Sequence, residues 1–155
     1  MNNLNTFTLS NDNMDQLNNL LENLYNSQKG YHECTEDIKN SILKERFRYT
    51  AAQRTDMIQA IKQLFVNSEV KPSSGGTVAG AAHRVFVDLK SLITGKDEVS
   101  ILKEVERGEK HLIEVYKDTM NEIKEPLVLN LLHKQYEEIQ ADLIKWQEIH
   151  HSLKI

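Results

Sequence analysis

Apolar residues recur along most of this chain at alternating spacings of three and four, the period that places them on one face of an α-helix. The first stripe runs Met14, Leu17, Leu21, Leu24, Gln28, Tyr31, Thr35 and Ile38. A second follows at Leu43, Phe47, Thr50, Arg54, Met57, Ile61 and Leu64, and a third at Leu102, Val105, Glu109, Leu112, Tyr116, Met120 and Ile123. The last comprises Leu132, Tyr136, Ile139, Leu143, Trp146, His150 and Leu153. Four long stripes predict four long helices and an all-α, up-and-down bundle.

Punctuation between the stripes sets the connections. Ser10 to Asp12 offers short polar side chains that cap the first free amides of a helix, and Asn40-Ser41 separates the first stripe from the second. Pro126 falls at the start of the fourth helix, where a missing amide hydrogen costs nothing. Lys71 to Gly76 gathers Pro, two Ser and two Gly and is the strongest loop signal in the chain. After it, Thr77 is an N-cap for a shorter helix reaching about Thr94, with Gly95 in the left-handed position beyond its end. The expected layout is two antiparallel hairpins joined by a crossover that carries this short helix. In domain terms, 1–12 forms a flexible polar arm and 13–155 a single bundle.

Composition supports the helical reading: 6 Gly, 2 Pro and 6% aromatic residues among 155. A net charge of −4 leaves no basic field to neutralise phosphates, so nucleic acid is not an expected partner. Cys34 is the only cysteine, which excludes an internal disulfide and a Cys-based zinc site and suits a reducing cytoplasm. No apolar run approaches the ~20 residues needed to span a bilayer, and the start lacks the basic and apolar regions of a signal peptide.

One block is more specific than a helical pattern. It reads Gly76-Thr77-Val78-Ala79-Gly80-Ala81-Ala82-His83-Arg84, then Asp88-Leu89-Lys90 and Leu92-Ile93-Thr94-Gly95, and finally Glu104-Val105-Glu106-Arg107-Gly108-Glu109. This run resembles a bacterial ferritin-like four-helix-bundle family of unknown function. The resemblance implies a ferritin-like frame, a cytoplasmic and stress-associated setting, and no established enzyme activity, so it carries over no catalytic residue.

The chemistry such a frame hosts elsewhere has strict requirements. A di-iron site takes a Glu from each of two helices and a Glu-x-x-His from each of the other two. The second stripe contains no His, and the fourth offers the motif only at Glu148 to His151, in its final turn. No metal ligand, cofactor or catalytic residue is therefore assigned. Arg54 and Glu109 are more telling, since both occupy stripe positions near the middle of their helices, where an unpaired charge is costly. A charge-assisted pair, joined by Gln28 or Tyr31, is expected between them. His83 and Arg84 would reach Glu106 or Glu109 from the crossover, giving a structural polar cluster of Arg54, His83, Arg84, Glu106 and Glu109. Three functional classes stay open: a non-enzymatic interaction or stress-associated protein with a protein partner or a second copy of itself, a di-metal (iron or manganese) oxidase or store, and a small-ligand binder under the crossover helix. The first is the expected one.

Overall fold

In a computed structural model, which describes residues 9–75 and 98–153, the chain is an all-α four-helix bundle with no strand among those residues. The helices are α1 (Asn11–Thr35), α2 (Ser41–Lys62), α3 (Glu98–Glu122) and α4 (Pro126–Leu153), with a single 3-10 turn, Gln63–Phe65, closing α2. The short helix expected from Thr77 to about Thr94, with Gly95 beyond it, lies outside the described residues, as do residues 1–8.

Local chemistry sets the ends. Ser10 Oγ accepts from the Asn13 amide at 3.1 Å, so α1 starts inside the stretch 1–12 read as an arm. Asn40 Oδ1 accepts from the amides of Ile42 and Leu43 at 2.9 and 3.1 Å and opens α2 in the same way. Pro126 takes the first position of α4. After the 3-10 turn, Asn18 ties down the departing chain, donating to the Lys71 carbonyl at 2.9 Å and accepting from the Ser73 amide at 2.7 Å. Gly75 then turns with φ +85, and a Cβ there would sit 2.8 Å from the Tyr25 ring. Only glycine meets both demands.

Cross-helix contacts give the topology. Asn13 reaches the Glu122 carbonyl, Asn23 meets His111, and Tyr31 meets Glu109, so α1 and α3 run antiparallel. Arg46 meets Asp142 and the Met57 carbonyl meets Gln135, so α2 and α4 do too. With α1 and α2 forming one hairpin and α3 and α4 the other, α2 and α3 point the same way. The up-and-down alternation thus holds inside each hairpin and is interrupted at the connection from Phe65 to Glu98, the arrangement of a one-crossover bundle.

The stripes of α2 and α3 lie where the periodicity puts them, except that Thr119 is buried more deeply than Met120. On α4 the buried row is Val128, Leu132, Gln135, Ile139, Asp142, Trp146 and His150. The expected row carried Tyr136 and Leu143, which are only partly buried. Their polar neighbours Gln135 and Asp142 displace them because both find partners inside. On α1, Gln28 turns toward α2 and donates to Thr55 Oγ1 at 3.1 Å instead of joining Glu109.

Two apolar clusters fill the interior. One, at the α1 N-terminal end, holds Leu17, Leu21, Leu24, Ile61, Leu112 and Leu132 among others; the second, at the opposite end, is built on Tyr31, Phe47, Leu102, Val105 and Trp146. Each such side chain contributes roughly 1.5–3 kcal/mol on full burial. The Tyr31 and Trp146 rings stack with centroids 5.9 Å apart, and Phe47 meets both edge-on.

Candidate functional site: the buried charged layer

Between the two apolar clusters lies a polar, charged layer to which each of the four described α-helices contributes. α2 supplies Arg54, which is 0% exposed, and α3 supplies Glu109, which is 1% exposed. The guanidinium meets the carboxylate as a fork, with Nη2 donating to Oε2 at 2.6 Å and Nη1 to Oε1 at 3.3 Å. The same Nη2 donates to Asp142 Oδ2 on α4 at 3.3 Å, and Nε donates to Gln53 Oε1 at 3.3 Å. From α1, the Tyr31 hydroxyl donates to Glu109 Oε1 at 2.7 Å. Asp142 accepts a second cation, Arg46 Nη2, at 2.8 Å. Among the described residues two arginines thus face two carboxylates, and their charges match.

That neutrality is what allows burial, because an isolated charge in this interior costs several kcal/mol. Burial is still the dominant influence on each acid. It raises the Glu109 and Asp142 carboxyls above the ordinary carboxylate value, against the opposing pull of Arg54 on both. Burial, followed by the Glu109 charge, drives the Tyr31 hydroxyl well above its usual value, so it keeps its proton and donates it to Glu109. For Arg54, burial works against the charged form, but Glu109, Tyr31 and Asp142 outweigh it and the guanidinium stays charged.

A second polar link lies in the neighbouring apolar cluster. The Tyr116 hydroxyl donates to Gln135 Oε1 at 2.7 Å, and Gln135 Nε2 donates to the Met57 carbonyl at 3.2 Å. These bonds account for a buried glutamine on α4. Near the far end, His150 Nδ1 lies 2.7 Å from Glu106 Oε2.

Of the residues singled out by sequence, Arg54 and Glu109 are in contact, with Tyr31 as their third member. Glu106 lies one turn from Glu109 but turns to His150. His83 and Arg84 lie outside the described residues. Asp142 and Arg46 were not anticipated. The signal for Asp142 was its spacing, three after Ile139 and four before Trp146, both fully buried; its charge concealed it beside the apolar Leu143. Arg46 had no such signal, since its side chain is 19% exposed and reaches inward only at its tip.

The layer has the place of a bundle's metal centre and a different chemistry. Its cation is a guanidinium, and its carboxylates are spent on it. Among the described residues no group of three or more His, Cys, Asp and Glu side chains is arranged to hold a metal ion. The Glu-x-x-His of α4 faces outward: Glu148 lies 3.6 Å from Lys145 on the surface, and His151 is exposed. No described helix is long and apolar enough to cross a membrane. Cys34, the single cysteine, is buried.

Fold and layer together define an all-α four-helix bundle with a charge-matched ionic layer at its middle, built on the buried pair Arg54 and Glu109. Residues 12–122 match the family described as Domain of unknown function (DUF2383), and the chain belongs to that family. The match ends with α3, although α4 supplies Asp142 and Trp146 to the interior. No curated protein matches the chain.

Proposed function

We propose that the protein is a non-enzymatic bundle on a ferritin-like frame, folded as one unit over residues 13–155, that acts through its surface as an interaction or stress-associated protein of the cytoplasm. The observation that carries this reading is the fork between Arg54 and Glu109. The interior position at which such a frame would work on a metal is filled by a side chain whose charge and hydrogen bonds are already matched. The ferritin-like frame is supported by the single crossover and the two antiparallel hairpins. A single cysteine, Cys34, buried and unable to form an internal disulfide, is compatible with a reducing compartment.

Metal analysis of protein purified without chelator tests the reading. Sub-stoichiometric metal is the expected result. About two equivalents of iron or manganese, lost when Glu109 is replaced by Gln, would overturn it in favour of a di-metal oxidase or store.

A further inference from the structure

The bundle is not closed equally on its four sides. The helices of each hairpin lie close together, and so do α1 and α3, but α2 and α4 make no comparable backbone approach. Side chains span their seam instead. Asp142 of α4 accepts from Arg46 at 2.8 Å and from Arg54 at 3.3 Å, Gln135 of α4 donates to the Met57 carbonyl at 3.2 Å, and Phe47 meets the Trp146 ring edge-on at 5.5 Å. Outside these links lies a groove of about 670 Å³, to which α2 contributes Arg46 and Tyr49 and α4 contributes Lys145 and Ile149. Arg46 therefore reaches from the groove to the buried carboxyl of Asp142.

The two seams resist separation differently. α1 and α3 bring Leu17, Leu20, Leu24, Leu112 and Val115 to one apolar cluster, and parting them costs free energy in proportion to the apolar area exposed. Parting α2 from α4 breaks mainly polar links. Their groups regain hydrogen bonds and hydration from water, which offsets much of the attraction lost. Openings short of unfolding occur where packing is sparse.

We propose that the α2/α4 seam is the edge at which the folded bundle opens, with α1 and α3 on the hinge side and Asp142 as the clasp. The clasp holds two arginines of α2 with one carboxyl, so losing it frees both. Opening here gives solvent a path from the groove to the ionic layer while the two hairpins stay joined through α1 and α3. This goes beyond the surface-acting reading and does not depend on it.

Two buried threonines allow a matched test. Thr50 lies on α2 between Arg46 and Arg54, is 0% exposed and donates to the Arg46 carbonyl; Thr119 lies on α3 beside a groove shared with α1, is 4% exposed and donates to the Val115 carbonyl. Thr50→Cys and Thr119→Cys are made separately, and modification of each introduced thiol by an aromatic disulfide reagent is followed in buffer and in low urea. Peptide mass spectrometry separates it from Cys34. Thr50→Cys is expected to react at least about tenfold faster than Thr119→Cys, at a rate that barely changes in low urea because a partial opening exposes little surface. Adding Arg46→Met removes the outer half of the clasp and leaves the fork of Arg54 and Glu109. It should speed Thr50→Cys by about tenfold and Thr119→Cys by much less. Equal rates at the two positions, a Thr50→Cys rate that climbs with urea as steeply as global unfolding, or no selective effect of Arg46→Met would each overturn the inference. If Arg46→Met does not fold by circular dichroism, the comparison of Thr50→Cys with Thr119→Cys decides alone. None of these outcomes touches the proposed function, which is judged by metal content.

Discussion

Arg54 Nη2 lies 2.6 Å from Glu109 Oε2, and neither side chain meets solvent. The relationship ties α2 to α3, the two helices that point the same way, and it is closed by Tyr31 from α1 and Asp142 from α4. The ends of the bundle are held by apolar packing. The middle is held by matched charge, which tolerates no change in one partner alone.

Removing one member is therefore expected to cost far more than removing the set. Arg54→Met leaves Glu109 buried without its counter-ion and should lower unfolding free energy by about 3–5 kcal/mol. The triple variant Tyr31→Phe, Arg54→Met, Glu109→Leu removes the charges together and leaves Asp142 to Arg46. It should match the wild type or exceed it by up to about 4 kcal/mol. Urea unfolding of both variants checks this. A triple variant as weak as Arg54→Met would mean that the ionic layer contributes net stability.

How much of this was legible follows from what each residue offers to a pattern. Leu17, Phe47 and Leu112 announce themselves by type and spacing together, and the four helices follow. Arg54 and Glu109 were legible because apolar neighbours on both sides fixed the phase of their stripes. On α4 the phase was ambiguous. Tyr136 and Leu143 are apolar, whereas Gln135 and Asp142 are not, and spacing favours either row. The choice was made by partners from distant helices, Tyr116 and Met57 for Gln135, Arg46 and Arg54 for Asp142. Such long-range satisfaction leaves no local trace in the chain.

Tyr31 combines two roles that substitution separates. Its ring stacks on Trp146 and meets Phe47 edge-on, while its hydroxyl donates to Glu109. Tyr31→Phe keeps the ring and removes a bond to a charged acceptor, for an expected loss of about 1.5–3 kcal/mol. Tyr31→Ala also opens a cavity against Phe47 and Trp146 and should cost about 3–5 kcal/mol for the ring. Equal losses by thermal or urea unfolding would show that the hydroxyl carries the residue's whole contribution.

Gly75 makes a conformational prediction. Its φ of +85 is strained for any L side chain, and Tyr25 occupies the space a Cβ would need. Gly75→Ala should therefore destabilise by more than the ~1 kcal/mol associated with an unfavourable backbone region alone. Pairing it with Tyr25→Ala removes the clash and leaves the φ penalty. Non-additive losses in that double-mutant cycle are the expected result. Additive losses would place the Tyr25 ring away from the glycine.

The acids of the central layer give a pH dependence opposite to that of an ordinary surface ion pair. A carboxylate held below its unfolded pKa stabilises the fold at neutral pH and loses that contribution on acidification. Glu109 and Asp142 are raised instead, because burial outweighs their arginines. Their contribution is fully present below the unfolded carboxylate pKa and is lost as pH rises through the folded value, where the native state gives up protons it held more tightly than the unfolded chain. Replacing Asp142 by Asn removes one such group. The stability of the wild type relative to Asp142→Asn should then fall as pH is raised through the range just above the usual carboxylate pKa, whatever the offset between the two proteins. Unfolding free energies across that range, with the Asp142 carboxyl followed by NMR, provide the check. A wild type that gains on the variant with rising pH would mean that Arg46 and Arg54 outweigh burial at this position.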